Sequence, residues 1–287
     1  MMDTMSGSNK VIAGAKYIAA GTEISNSSNY ALRIIITPNQ FIYLVAEQES
    51  KRVIQLVPFQ FTKISSPDEW IREIDGLLEN YMRGFSDFAQ RKIGIFTPFF
   101  TLVPAPLDAE HTRRQLLSLN VTTAPDHVVR SDNISSQNIH LVYALPNNLL
   151  QKLTTSGIEV RHALSGLLES VMAAGDRSGN KQLFVYVQPG SFQLIYIKDN
   201  ALKLCNSFSY QSAEDFVYHL LFTCKQLHLD PELIPVTLMG EILRDSSLYQ
   251  LLYKYVRKIE FASFHKNWQF DQDYPLSGHF FYNLFCI

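Results

Sequence analysis

Leu32-Arg33-Ile34-Ile35-Ile36-Thr37-Pro38-Asn39-Gln40-Phe41 and Leu183-Phe184-Val185-Tyr186-Val187-Gln188-Pro189-Gly190-Ser191-Phe192 lie on one another without a gap, proline on proline and phenylalanine on phenylalanine. An internal repeat of this kind defines the architecture before any single element is read. Each copy is a continuous apolar run, as in a strand buried on both faces, followed by a proline-containing turn and a second apolar run. Working outward, Phe41 to Ala46 returns as a strand, Glu47 to Lys51 turns, and Val53 to Phe61 supplies a third strand. The pattern predicts an antiparallel meander.

A helix follows each meander. Ser66 stands as an N-cap before Pro67, Asp68 and Glu69, and Trp70, Ile71, Ile74, Leu77, Leu78 and Tyr81 recur at helical spacing. Ser212 takes the same place in the second copy, before Glu214 and Asp215, with Phe216, Val217, Leu220, Leu221, Cys224 and Leu227 as the stripe. A hydroxyl at the N-cap and acids in the first turn satisfy free N–H groups and complement the helix dipole. Each helix leads to another strand, Ile93 to Phe96 and Pro235 to Met239. The first half continues with a helix around Asp108 to Leu119, a loop from Val121 to Ser136, a strand Ile139 to Leu145, a helix Asn147 to Thr155, a strand near Ile158 to His162 and a helix Leu164 to Ala174. The second half closes with a helix Ser246 to Lys258 and a strand Ile259 to Phe264. The division expected is a flexible leader over 1–28, a first lobe over 29–176 with a small insert around 121–156, and a second lobe over 177–287, with Gly175 to Asn180 as a turn-rich linker.

At 46% hydrophobic and 18% charged, the chain has the apolar material for a large core. Its net charge of −2, with no basic run, gives no electrostatic footprint for nucleic acid and none for an anionic membrane. No segment is a signal peptide or a bilayer-spanning run, so direct membrane insertion is not expected. Three cysteines at unrelated spacings, Cys205, Cys224 and Cys286, fit a reducing cytoplasm.

Reactive constellations are sparse. Cys224 and His228 are four apart, but Cys224 falls in an apolar stripe and no second ligand pair matches. Asp271 and Asp273 lack the rest of a calcium loop, and Ser165 and Ser191 are in no nucleophile elbow. No metal site and no catalytic residue is expected. The tail from Tyr274 to Ile287 is rich in aromatics and is expected to dock within the protein, the other readings being a partner surface or a homodimer contact.

Two copies of a meander, helix and strand are similar to the duplicated ribonuclease H-like halves of the actin, Hsp70 and sugar kinase superfamily. With Phe100-Thr101-Leu102-Val103-Pro104 after the first helix, the whole chain resembles an uncharacterised bacterial family, DUF3822, described as having an actin-like ATPase fold. The resemblance implies an α/β protein of two lobes, each with a mixed five-stranded sheet flanked by helices, meeting at a cleft near the two meander turns. A more distant likeness is to pilus and secretion assembly proteins of actin-like fold that hold partner peptides.

In catalytic members of the superfamily those turns carry Asp-x-Gly-Thr-like residues, where the carboxylate serves the metal and its water shell while glycine, hydroxyl and amides hold phosphate. Here the turns are Thr37-Pro38-Asn39-Gln40 and Gln188-Pro189-Gly190-Ser191, with no carboxylate in either. Proline also removes one N–H from each. The residues that correspond to nucleotide contacts are Gly190, Ser191 and Gly240, and Glu241 stands where relatives tend to have a second glycine. The expected function is a noncatalytic binding or scaffold protein with a protein partner and no cofactor. The alternatives are a nucleotide-binding protein using Gly190, Ser191 and Gly240, and an ATPase or phosphotransferase using ATP with magnesium, with Asp176 and Glu241 as its carboxylates.

Overall fold

A computed structural model describes residues 10–19, 27–85, 87–155, 158–174, 181–263, 268–271 and 277–287. The first half holds β1 (Val11–Ala13), β2 (Tyr17–Ile18), β3 (Tyr30–Ile36), β4 (Gln40–Glu47), β5 (Val53–Phe61), α1 (Pro67–Met82), β6 (Gln90–Ile95), β7 (Phe100–Pro104), α2 (Arg113–Ser118), β8 (His127–Ile134), β9 (Ile139–Pro146), α3 (Asn147–Thr155), β10 (Glu159–His162) and α4 (Ala163–Ala174). The second holds β11 (Gln182–Gln188), β12 (Ser191–Lys198), β13 (Ala201–Ser209), α5 (Ala213–Gln226), β14 (Val236–Gly240), α6 (Ser247–Leu252) and β15 (Ile259–Phe261), and the chain ends in a 3-10 turn, Tyr282–Phe285.

The duplication is topological as well as sequential. The first sheet runs β5-β4-β3-β6-β10 and the second β13-β12-β11-β14-β15. In both, the three meander strands are antiparallel and the last two join in parallel. Each helix starts at the residue the sequence marks. The Ser66 hydroxyl accepts from Glu69 N at 3.2 Å, and Ser212 forms a reciprocal capping box with Asp215. The α1 stripe then buries Ile71, Ile74 and Leu77, while Tyr81 packs on Phe59 with ring centroids 4.9 Å apart. Burying one such side chain contributes roughly 1.5–3 kcal/mol.

Four expectations differ. The leader is not wholly outside the fold: β1 pairs with β5 from Val11↔Phe61 and β2 pairs with β5 from Tyr17↔Leu56, so the first sheet has seven strands. The expected loop 121–136 contains β8, paired along its length with β9. Its sequence lacks clean alternation, and pairing with a distant strand supplies what local preference does not. The insert is a three-stranded sheet, β7-β9-β8, that begins at Phe100. The helix expected over 108–119 covers only α2 after a 3-10 turn at Ala105–Leu107, that over 246–258 ends at Leu252, and the last strand stops at Phe261. The linker 175–180 lies outside the described residues.

One core joins the two halves. Residues of the first sheet, α4 and the chain's end pack with Phe184, Tyr186, Ile195, Ile197 and Met239 from the inner face of the second sheet. The outer face of the second sheet is covered by α5 and α6. In the first half β10 runs into α4. In the second, β15 is followed by a strap that returns to the first lobe. Val53 N donates to Gln269 O at 2.8 Å, and Arg52 Nε donates to Asp271 Oδ1 at 2.7 Å. The tail then docks inward, as expected, with Phe281, Tyr282, Leu284, Phe285 and Ile287 buried. Gly166 on α4 admits it, since a Cβ there would stand 2.5 Å from the Cys286 carbonyl oxygen.

Candidate functional site: the two turns at the interlobe cleft

The first turn is a tight hairpin in which Thr37 N donates to Gln40 O at 2.8 Å and the Thr37 hydroxyl accepts from Asn39 N at 3.2 Å. Trp70 anchors it from α1, donating its indole N–H to Thr37 O at 3.1 Å. In the second turn, Pro189 precedes Gly190 at φ +75°, the conformation that a Pro-Gly turn requires at its third position. Tyr210 holds that turn twice, through its hydroxyl to Gln188 O at 2.9 Å and its N–H to Gly190 O at 3.0 Å.

The turns bond to each other across the cleft. Asn39 Nδ2 donates to Pro189 O at 2.7 Å, and the Gln40 amide donates to the Glu241 carboxylate. Burial raises the Glu241 carboxyl above its ordinary range, and the bond from Gln40 only partly offsets this. Gly240 sits at φ +82° beside Val187, where an added Cβ would lie 2.1 Å from the Val187 oxygen. Its N–H donates to His279 O at 2.8 Å, while the His279 ring pairs with Ile242 O at 2.7 Å. Burial lowers the His279 pKa, so the ring is neutral and donates Nε2–H to that carbonyl. The tail thus takes the donor that a ligand at Gly240 would use. Beneath the turns, Arg33 Nη1 donates to Phe285 O at 3.0 Å with its guanidinium over Trp268. Burial lowers the Arg33 pKa to about 10, leaving it charged.

The structure therefore brings Gly190, Ser191, Gly240 and Glu241 to one end of the second sheet, with Val187 and Gly240 in register. Asp176 and Asp273 lie outside the described residues. Cys224 is a buried core residue, Asp271 pairs with Arg52, and among the described residues no group of three or more His, Cys, Asp or Glu side chains could hold a metal ion. Sequence reasoning missed the Asn39 and Gln40 amides as bridging groups and His279 as a clamp. It also missed a buried network in which Asp132 accepts from His162 N at 2.6 Å and from the Ser165 hydroxyl at 2.7 Å. Ser165 there fixes the start of α4. His162, its pKa lowered by burial to about 4, accepts at Nδ1 from Leu164 N.

The sequence model of the family described as "Protein of unknown function (DUF3822)" matches residues 20–259. The chain belongs to this family. A protein of actin-like ATPase fold and unknown function from Bacteroides thetaiotaomicron VPI-5482 superposes with a TM-score of 0.73 at 18% identity, over 82% of this chain and 91% of that one. The PilM–PilN type IV pilus biogenesis complex matches with a TM-score of 0.51 at 14% identity, over 86% of this chain and 91% of that one. These likenesses place this DUF3822 member in the actin-like, duplicated ribonuclease H-like fold. Comparison with curated protein sequences gives no match. Among the described residues no helix is long and apolar enough to cross a membrane.

Proposed function

We propose that this DUF3822 protein is a noncatalytic binding or scaffold protein that holds a protein partner, works without ATP or magnesium and resides in the cytoplasm. One observation carries the reading: Asn39 Nδ2 bonds to Pro189 O at 2.7 Å. A nucleotide in an actin-like cleft places its phosphates between the two turns, and enzymes of hinged architecture close around such a ligand. Here each turn is the other's ligand. The tail bonds to Gly240 in the second lobe and to Arg33 in the first, with the 268–271 strap laid on the first lobe beside it, which favours a fixed platform over an opening and closing engine. Glu241, a carboxylate at the site, is engaged by Gln40 and shifted toward its neutral form, a poor state for holding magnesium. Three free cysteines support the cytoplasmic placement.

Calorimetric titration of the folded protein with ATP and a nonhydrolysable analogue, with and without magnesium, tests this. The expected result is no heat of binding. Magnesium-dependent binding at micromolar affinity, about 8 kcal/mol, would establish the nucleotide-binding alternative through Gly190 and Ser191.

A further inference from the structure

The outer edge of β13 is nine residues long and pairs with no strand among the described residues. It forms one wall of a groove of about 800 Å³, whose facing wall is β7, the unpaired edge of the three-stranded sheet, with Pro98, Asn120 and Val121. The direction of the free backbone groups follows from the ladder. Tyr210 N bonds to Gly190 O, so alternation leaves Cys205, Ser207 and Ser209 with their N–H and C=O pointing away from β12 and toward the edge.

Two side-chain amides already stand where a neighbouring strand would. Gln137 accepts from Leu202 N at 2.9 Å through Oε1 and donates to Asn200 O at 3.2 Å through Nε2, the pair of bonds that the N–H and C=O of one residue in a parallel strand would make. Further along, Asn206 Oδ1 accepts from Ser207 N at 2.9 Å. Natural sheets blunt edges with charge, proline or bulges. This edge carries a bulge at Lys203, where the register passes from Tyr196↔Leu204 to Ile197↔Leu202, and Lys203 is the one charged side chain lining the groove among the described residues; beyond the bulge, Cys205 to Ser209 keep a regular register. A row of main-chain donors and acceptors is complementary to a main chain in extended conformation, and the facing wall of Phe100, Leu102 and Val121 suits alternate apolar side chains.

We infer that the groove between β13 and β7 binds an extended segment of a partner polypeptide, which continues the strand order from Gln137, displaces the Asn206 amide and sets an acidic residue against Lys203. This rests on the scaffold reading and gives the partner its place and chemistry. The cleft at the turns has no part in it.

The full-length protein is panned against a displayed random dodecapeptide library, and enriched peptides are measured by fluorescence anisotropy on the wild type, Lys203→Glu and Ser209→Pro. Proline is tolerated at an edge position whose N–H lies outside the ladder, and Lys203→Glu, on an exposed side chain, keeps the test alive if Ser209→Pro does not fold. Enriched peptides with apolar alternation and an acidic residue, weakened about tenfold by Lys203→Glu and by a folded Ser209→Pro, are the expected result. No enrichment, or binding indifferent to Lys203→Glu, overturns the groove. A wild-type dimer in sedimentation that Lys203→Glu dissociates assigns the edge to a second copy and overturns the partner segment. Failure of the scaffold reading registers separately, as magnesium-dependent ATP binding in the calorimeter.

Discussion

Asn39 and Pro189, 150 residues apart, join the two repeats at their matching turns: the asparagine amide donates to the proline carbonyl at 2.7 Å. In the repeat alignment Asn39 falls on Gly190, so the duplicated unit touches its own copy one position out of step. The bond is solvent-exposed, and Asn39→Ala is expected to cost about 0.5–1.5 kcal/mol in urea unfolding. The second effect is local. Amide exchange at Gln40 and Phe41 should quicken more than at the same depth in β5, because the turn loses one of its two cross-lobe ties. Unchanged exchange there would mean that Trp70 and the Gln40–Glu241 bond hold the turn without Asn39.

Glu241 gives the site a pH dependence whose sign is fixed by its raised carboxyl. A carboxyl that holds its proton more tightly when folded contributes stability that is full below the unfolded pKa, about 4.3, and lost as pH rises through the folded value. Glu241→Gln keeps an acceptor for Gln40 and removes the buried charge. The variant should therefore gain about 1 kcal/mol over the wild type at pH 8 and nothing at pH 4. Denaturant titrations at the two pH values decide it, and an equal difference at both would sever the effect from the carboxyl.

Gly190 and Gly240 both have positive φ, yet their substitutions should differ in kind. At Gly190 an added Cβ meets nothing within 4 Å, so Gly190→Ala carries only the left-handed penalty, roughly 1–2 kcal/mol. At Gly240 the same atom would stand 2.1 Å from the Val187 oxygen, in a parallel pair of the second sheet. Gly240→Ala must shift backbone, and a loss of at least about 4 kcal/mol or insoluble protein is expected. Thermal melts of the two variants side by side test this, and equal melting temperatures would show that the β14 terminus yields freely.

What the sequence disclosed and what it withheld divide along locality. The Ile34 to Ile36 run, the proline turns and the Ser66 and Ser212 caps are signals read within a few residues, and each appears where expected. β8 carries no such signal, since its ordering comes from β9, and β1 and β2 are too short for any periodicity to mark them. At the site, Gly190, Ser191 and Gly240 were visible as residue types. Their state was not, because the groups that occupy them, Asn39 at the second turn and His279 at Gly240, arrive from far along the chain. Gln40 and Glu241 are 201 residues apart, and no spacing rule reaches across that distance.

Phe285 shows how far the tail is part of the fold. Its ring is buried, 5.2 Å from Trp268 by ring centroids, and its carbonyl takes the Arg33 guanidinium from β3. The residues around it belong to the core shared by both lobes. Phe285→Ala should cost about 3–5 kcal/mol through the cavity it leaves. Because that core is common property, the loss should lower amide protection in β3 and in β14 together. Deleting residues 279–287 goes further: it removes the Gly240 and Arg33 partners and exposes the inner faces of both sheets. That deletion should give a protein that binds a hydrophobic dye and melts without a cooperative transition. Loss of protection confined to the first lobe, or a cost for Phe285→Ala under about 1 kcal/mol, would mean that the tail lies on one lobe and leaves the other to fold by itself.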